Sequence, residues 1–213
     1  MVIFAKSGAG KSVTMKTLIS RSSVLMGIES LALDAEGEYT IVAESLGGIN
    51  VVISPTSQTV INLFDVETEI VKDEITGKER VTLNIENKVE DVTQALLTMA
   101  RGSTRSDEVN ELTKQIIAES VAEEYAALGI NSNPESLYKS TGNLMQGNVF
   151  AKEKKDMPTI GSWYRRIQGK ARENTNQDYQ YHYSYLLKVM KQYIREYDGQ
   201  MAYFDGQSTF ELL

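Results

Sequence analysis

The segment Lys6-Ser7-Gly8-Ala9-Gly10-Lys11-Ser12 contains the residue types of a loop that binds phosphate. Glycines allow backbone angles that turn successive N–H groups toward one anion, and the positive end of a following helix attracts the same anion. The lysine adds a full charge, and the hydroxyl after it binds Mg²⁺. The expected cofactors are therefore ATP and Mg²⁺. The predicted nucleotide-binding residues are Ser7, Gly8, Ala9, Gly10, Lys11, Ser12 and Val13, with Ser12 also a magnesium ligand.

The surroundings of this loop favour a phosphate site, although one residue departs from the usual pattern. Ala5 stands where such loops usually begin with glycine, and the alternative is a glycine-rich turn that binds nothing. An apolar run precedes the loop at residues 1–4, and residues 13–19 continue with a helical pattern. This is the order of strand, loop and helix that a phosphate-binding loop requires.

A second polar segment, Asp34-Ala35-Glu36-Gly37-Glu38-Tyr39, follows the apolar run at residues 31–33. Strand, helix and strand at this spacing predict a βαβ unit with a parallel sheet, and ligands bind at the carboxyl ends of such strands. Asp34 is the candidate magnesium ligand, and Glu36 and Glu38 are the candidate catalytic carboxylates. The alternative is that these acids favour the N-terminus of a helix through its dipole.

The remaining pattern of the first part predicts an α/β fold. Helices are expected up to Met26, closed by Gly27, and from Glu38 to Leu46, closed by Gly47-Gly48. Further strands are expected at residues 51–53, at 60–65 as either a short strand or a loop, and on both sides of a turn near Gly77.

From about Asn87 the apolar periodicity becomes helical, which suggests three parts: residues 1–87 as the nucleotide-binding core, 88–200 as an all-α insertion, and 201–213 as a return to the core. Ser106 is the expected N-cap of a helix that Gly129 ends. Further helices are expected from Asn133-Pro134, after Pro158, and from Tyr183 to Tyr197.

Composition limits the possible chemistry. The 213 residues carry a formal charge of −7, and the excess of acids lies in residues 1–87. Zero cysteines exclude disulfides and thiolate metal sites, and His182 is the one histidine. DNA contact would need a local basic surface, for which residues 150–172 are the candidate; a solvated helix face is the alternative. The tyrosines at 179–185 could stack on bases or pack between helices.

Five segments taken together resemble the conjugative-transfer ATPases, the type IV secretion motors of the HerA–FtsK superfamily known as TraC or TraE. They are residues 6–12, 34–39, 46–48, 61–65 and 204–209. The resemblance implies a partial RecA-like P-loop core, with Lys11 binding phosphate and Ser12 binding magnesium. It also implies a homo-hexamer in the full-length protein, other secretion or conjugation proteins as partners, and a cytoplasmic location at the inner face of the membrane.

The same resemblance implies that the chain is a piece of a longer protein. The family's Walker B acids, sensor glutamine and arginine finger have no match here, so they are expected beyond Leu213, with an N-terminal domain before Met1. Asp205 is the late candidate for a Walker B acid, at the end of a predicted short strand. The expected activity is weak or no hydrolysis. Two alternatives remain: a small kinase that uses the basic stretch as a phosphate clamp, and a helical interaction module with a vestigial loop.

Overall fold

The chain forms two compact units, residues 1–52 and 53–213. The computed structural model describes residues 6, 10–54, 56–72, 77–102, 109–139 and 153–210. Each unit has its own helices.

The first unit contains two helices, α1 (Lys11–Met26) and α2 (Thr40–Ser45). Gly27 adopts a left-handed conformation with φ 63°, and its N–H donates to the carbonyl of Ser23 at 3.0 Å, which ends α1 at the predicted residue. Gly47 has φ 76° after α2, and the next N–H, that of Gly48, donates to Ala43 at 2.8 Å. Both glycine-ended helices predicted in this unit are confirmed.

The predicted parallel strands are not formed in the described part of the first unit. Residues 31–34 and 51–53 have no ladder partner among the described residues, and residues 2–4 lie outside them. Leu31 is 85% exposed and Leu33 is 97% exposed. An apolar run has strand propensity, but a strand exists only when a neighbour supplies the inter-strand hydrogen bonds. Neither segment forms a strand with a described partner, so the predicted parallel sheet is not confirmed.

The second unit has a helical core built from α3 (Ile85–Arg101), α4 (Glu111–Ala127), α5 (Ile160–Glu173) and α6 (Gln177–Met190). Helix α3 packs on α4, and α5 packs on both α4 and α6. Trp163 is fully buried at the centre, and its indole N–H donates to Ser120 Oγ at 2.7 Å. The change to helix that was predicted near Asn87 is confirmed.

Side-chain caps decide where these helices begin. Asn110 and Thr113 form a capping box at the start of α4, and Thr159 and Ser162 form another at the start of α5. The prediction of Ser106 as the N-cap of the first is wrong, because the N-cap is Asn110, whose side chain accepts the N–H of Thr113. Ser106 itself lies outside the described residues.

Helix α6 begins and ends about six residues earlier than predicted. Asn176 caps it by accepting the N–H of Asp178 at 3.0 Å, so the alternating tyrosines lie on the helix. After Met190 the chain forms short 3₁₀ helices at Lys191–Tyr193 and Arg195–Tyr197. Tyr183 is buried, and the Tyr185 hydroxyl donates to the Ala100 carbonyl at 2.9 Å. Packing between helices is therefore the observed role of these two tyrosines.

An antiparallel hairpin precedes the helices, with strands β1 (Glu69–Lys72) and β2 (Glu79–Thr82). Ile70 is opposite Val81, and Gly77 has φ 66°, so the predicted hairpin with a turn near Gly77 is confirmed. Another 3₁₀ helix, Pro134–Leu137, follows α4.

The two ends of the helical body are hydrogen-bonded to each other, and we name residues 60–62 together with residues 203–209 the neck. Ile61 N–H donates to the Tyr203 carbonyl at 2.9 Å, and Thr209 N–H donates to the Val60 carbonyl at 3.2 Å. Asn62 N–H donates to Ser208 Oγ at 2.9 Å. Residues 60–65 therefore form a loop. Ala202–Phe204 is a 3₁₀ helix, so the short strand predicted before Asp205 is wrong.

Among the described helices, none is both long enough and apolar enough to cross a membrane.

Candidate functional site

Gly10 shapes the start of α1 in the way an anion site requires. It adopts a left-handed conformation with φ 81° and ψ 16°, which residues other than glycine rarely adopt. The first helical hydrogen bond runs from Thr14 N–H to the Gly10 carbonyl at 2.9 Å. Three residues lie between them, Lys11, Ser12 and Val13, and their N–H groups precede that bond. No side chain of the described residues caps the helix.

The described residues at this position fit a bound phosphate. A helix N-terminus carries a partial positive charge, and no acidic residue lies in the first turn of α1 to neutralise it. Lys11 is exposed and Ser12 is half-buried, both in that first turn. The predicted ligands Ser7, Gly8 and Ala9, as well as Ala5, lie outside the described residues. The assignment of residues 7–13 as the nucleotide site stays a prediction.

The acidic segment forms a turn around Asp34. Its Oδ2 accepts the N–H of Tyr39 at 2.7 Å, and its Oδ1 accepts the N–H of Glu36 at 3.2 Å. Hydrogen bonds to the ionised form stabilise it, and the N–H of Tyr39 is the main reason that the pKa of Asp34 is lowered. A carboxylate has about four lone-pair positions, so these two bonds leave acceptor capacity for a cation.

Lys16 connects this turn to α1. Its Nζ lies 4.0 Å from Glu38 Oε2 and 5.6 Å from the centre of the Tyr39 ring. Residues four apart share one face of a helix, so Ser12 and Lys16 lie on the same face. The acidic turn therefore lies against the side of α1 that carries Ser12. Lys16 was not predicted as a site residue from the sequence, although its position four residues after Ser12 places both on one face of α1.

The two candidate catalytic carboxylates have different surroundings. Glu38 is placed beside α1 by Lys16, with its side chain 38% exposed. Glu36 is exposed, and its backbone N–H, rather than its side chain, holds the turn. The catalytic roles of Glu36 and Glu38 remain predictions, and so do the roles of Ser12 and Asp34 as magnesium ligands. Among the described residues no cluster of three or more acidic or histidine side chains could hold a metal ion.

The lowered pKa of Asp34 gives a direct test of the turn. We expect the Asp34 carboxyl to titrate below its ordinary pKa, because protonation would weaken its hydrogen bond from Tyr39. An NMR titration of the side-chain carboxyl carbons measures this. A midpoint for Asp34 at or above the ordinary value would contradict the turn described here.

Both carboxylate oxygens of Asp205 accept backbone N–H groups within the second unit. Its Oδ1 accepts Gly161 N–H at 2.8 Å, and its Oδ2 accepts Arg195 N–H at 2.9 Å. One carboxylate thus caps the start of α5 and fixes the chain beyond α6. This structural role could not be found from sequence, because it joins residues 44 positions apart.

The basic stretch is largely engaged within the second unit. Glu124 is buried; its Oε1 lies 2.5 Å from Arg166 Nε, and its Oε2 accepts the Ser162 hydroxyl at 2.6 Å. Lys170 pairs with Glu123 at 2.6 Å. Other bases of the stretch also have partners: Lys154 with Glu67, Lys155 with the Leu128 carbonyl, and Arg165 with Glu196. These pairs favour the solvated-face interpretation over a phosphate clamp.

His182 has a packing role in the described structure. It is buried, and its Nδ1 shares a 2.9 Å hydrogen bond with the hydroxyl of Thr113 on α4. It therefore joins α6 to α4.

The chain matches a known family, which places it in the class of P-loop NTPases. The chain has the α/β fold of the P-loop NTPases, the class in which a glycine-ended loop and a Lys-Ser helix start bind nucleotide. The family model described as "Helicase HerA, central domain" matches residues 1–198, so the chain belongs to that family. No curated protein and no solved structure matches the chain.

Family membership makes the chain part of an ATPase motor of the HerA–FtsK type, for which nucleotide is the expected ligand. The match covers most of the second unit as well as the first, so the helical body belongs to the family's domain.

Proposed function

We propose that this chain is the ATP-binding part of a motor that powers conjugative DNA transfer or type IV secretion. The family match supports a motor of the HerA–FtsK type, and the order of the five segments at residues 6–12, 34–39, 46–48, 61–65 and 204–209 supports the narrower assignment. The proposal includes a parallel sheet in the nucleotide-binding part, assembly as a hexamer, and action at the inner face of the membrane through secretion or conjugation partners.

The single observation that carries the proposal is the start of α1. Gly10 in the left-handed region opens the helix, no side chain caps it, and Lys11 and Ser12 are its first two residues. An uncapped helix start with a lysine in its first turn offers both backbone N–H groups and a full charge to phosphate oxygens.

Different residues would bind the phosphate groups and the Mg²⁺. The N–H groups of Lys11, Ser12 and Val13 point out of the first turn and would hold phosphate oxygens, with the ammonium of Lys11 adding charge. Ser12 and Asp34 are the residues that would hold Mg²⁺, which when bound neutralises phosphate charge. Lys16 would keep the acidic turn beside α1 through Glu38. In this proposal the domains are the core, 1–87, the helical insertion, 88–200, and the return, 201–213.

Replacing Lys11 with alanine is the direct test of this proposal. We expect Mg·ATP to bind the full chain and the Lys11→Ala variant to lose about 10- to 150-fold in affinity, the range for one hydrogen bond to a charged group. Isothermal titration calorimetry measures both. Binding that is unchanged in the variant would rule out the start of α1 as the phosphate site.

Arg21→Ala is the matched control, because it removes one positive charge from an exposed position farther along the same helix. It should leave ATP affinity within about twofold, the change that long-range charge alone gives at physiological salt. An equal loss in both variants would assign the effect to net charge rather than to Lys11.

A further inference from the structure

A pocket of about 550 Å³ lies at the neck, and its described lining residues all belong to the second unit. One wall is formed by lining residues between 57 and 60, and the other by the segment that follows α6. The lining residues that matter here are Gln58, Val60, Arg195, Tyr203 and Gly206. Pockets of about 300 to 1,000 Å³ are the size that holds small organic ligands.

Arg195 is the charged residue of this pocket, and its guanidinium is not used elsewhere in the described structure. No ion pair among the described residues includes it. The neighbouring Glu196 pairs with Arg165, at 3.7 Å. Asp205 accepts the backbone N–H of Arg195 and that of Gly161, so its two oxygens serve the backbone. No aspartate or glutamate is among the described residues that line the pocket.

Gly206 allows the guanidinium to lie against the neck. Its φ is 149°, and a Cβ added there would be 3.2 Å from Val60 Cγ1 and 3.7 Å from Arg195 Nη2. The absence of a side chain at Gly206 therefore keeps the space between Val60 and Arg195 open.

The lining combines one cation with apolar and amide groups. A guanidinium presents a planar fork of N–H donors that matches the oxygens of a phosphate or carboxylate. Val60 and Tyr203 supply apolar surface beside it, and the exposed Gln58 supplies an amide at the rim. We propose that the neck pocket binds a small organic molecule that carries one phosphate or carboxylate group, with Arg195 holding the oxyanion.

This site goes beyond the ATP-binding function, because it uses no residue of the phosphate-binding loop. A ligand in it would contact residues on both sides of the neck, where the two ends of the helical body are joined. Any ligand that binds only the folded state raises its stability. The bound molecule should therefore raise the unfolding temperature of the second unit.

The test uses the full chain with Lys11→Ala, so that the phosphate-binding loop does not contribute. Phenyl phosphate and benzoate are the charged probes, and benzyl alcohol is the neutral one of similar shape. Trp163 is buried in the second unit, so its fluorescence follows unfolding of that unit. At ten times the dissociation constant we expect at least one charged probe to raise the midpoint by about 3–6 °C, and benzyl alcohol to leave it unchanged.

Two further variants separate the pocket from general charge effects. Arg195→Gln should abolish the rise, and Arg172→Gln, which removes an exposed arginine near the end of α5, should keep it. A rise with phenyl phosphate alone would assign phosphate as the ligand group, and a rise with benzoate alone would assign carboxylate. The proposal is overturned if neither probe raises the midpoint, or if Arg195→Gln keeps the full rise. NMR of the arginine Nε–H signals checks the same contact without relying on the variant's folding.

Discussion

Replacing Trp163 with alanine is expected to lower the free energy of unfolding of the second unit by about 3–5 kcal/mol, the usual cost of truncating a buried large aromatic residue. Trp163 is 0% exposed and lies at the centre of the core between α4 and α5. The substitution leaves a cavity and also removes the hydrogen bond from the indole to Ser120. Urea denaturation followed by circular dichroism measures the loss, because fluorescence disappears with the tryptophan.

Ile70→Ala is the control for this experiment. Ile70 is 70% exposed on the hairpin, so its truncation should change stability by no more than about 0.5 kcal/mol. If Trp163→Ala cost as little as Ile70→Ala, the helical core described here would be wrong.

Asp205→Ala should lower the stability of the second unit by about 3 kcal/mol or more, because the two hydrogen bonds to the charged carboxylate contribute about 1.5–3 kcal/mol each. The carboxylate accepts N–H groups from Gly161 at the start of α5 and from Arg195 beyond α6. A Walker B acid would behave differently, since its removal would weaken magnesium-dependent ATP binding and leave the nucleotide-free fold intact. Urea denaturation without nucleotide, followed by Trp163 fluorescence, distinguishes the two roles.

A substitution at Gly161 tests the same contact with Asp205 from the partner residue. A Cβ at Gly161 would lie 2.6 Å and 2.8 Å from the two oxygens of Asp205, too close to be accommodated in place. Gly161→Ala should therefore cost about 1–3 kcal/mol in the wild-type background. In the Asp205→Ala background it should be neutral or stabilising, because alanine favours a helix by up to about 1 kcal/mol over glycine.

The coupling between the two substitutions identifies the contact. Neighbouring residues that share an interaction show coupling energies of about 0.5–3 kcal/mol in a double-mutant cycle. Additive effects would show that Asp205 does not cap α5, and its role as an acid of the nucleotide site would then become the better interpretation.

The helices could be predicted from sequence because their signals are local. Gly27 ends α1 where predicted, and the Pro158-Thr159 pair marked the start of α5. The error at α4 arose because several polar residues could cap it, and the pairing of Asn110 with Thr113 decided the outcome. The same limit applies to α6, whose cap at Asn176 was hidden by the alternating tyrosines that follow.

Strands and long-range contacts could not be predicted in the same way. The apolar residues at 31–33 have strand propensity, yet a strand depends on a hydrogen-bonded neighbour, which the sequence of the segment does not contain. Asp205 read as an acid at a strand end because nothing nearby shows that Gly161 and Arg195 will reach it. In the candidate site, the residue types at 10–12 were informative, while the position of the acidic turn depended on Lys16.

The neck brings the first and last segments of the helical body to one point in space. Because Ile61 and Tyr203 are joined by one backbone hydrogen bond, the chain leaves and returns at the same point after about 140 residues. The neck is held in turn by the helical body, because Asp205 accepts the N–H of Gly161 and the side-chain amide of Gln207 donates to the Met157 carbonyl. The spacing of the two neck segments therefore depends on the folded helical body.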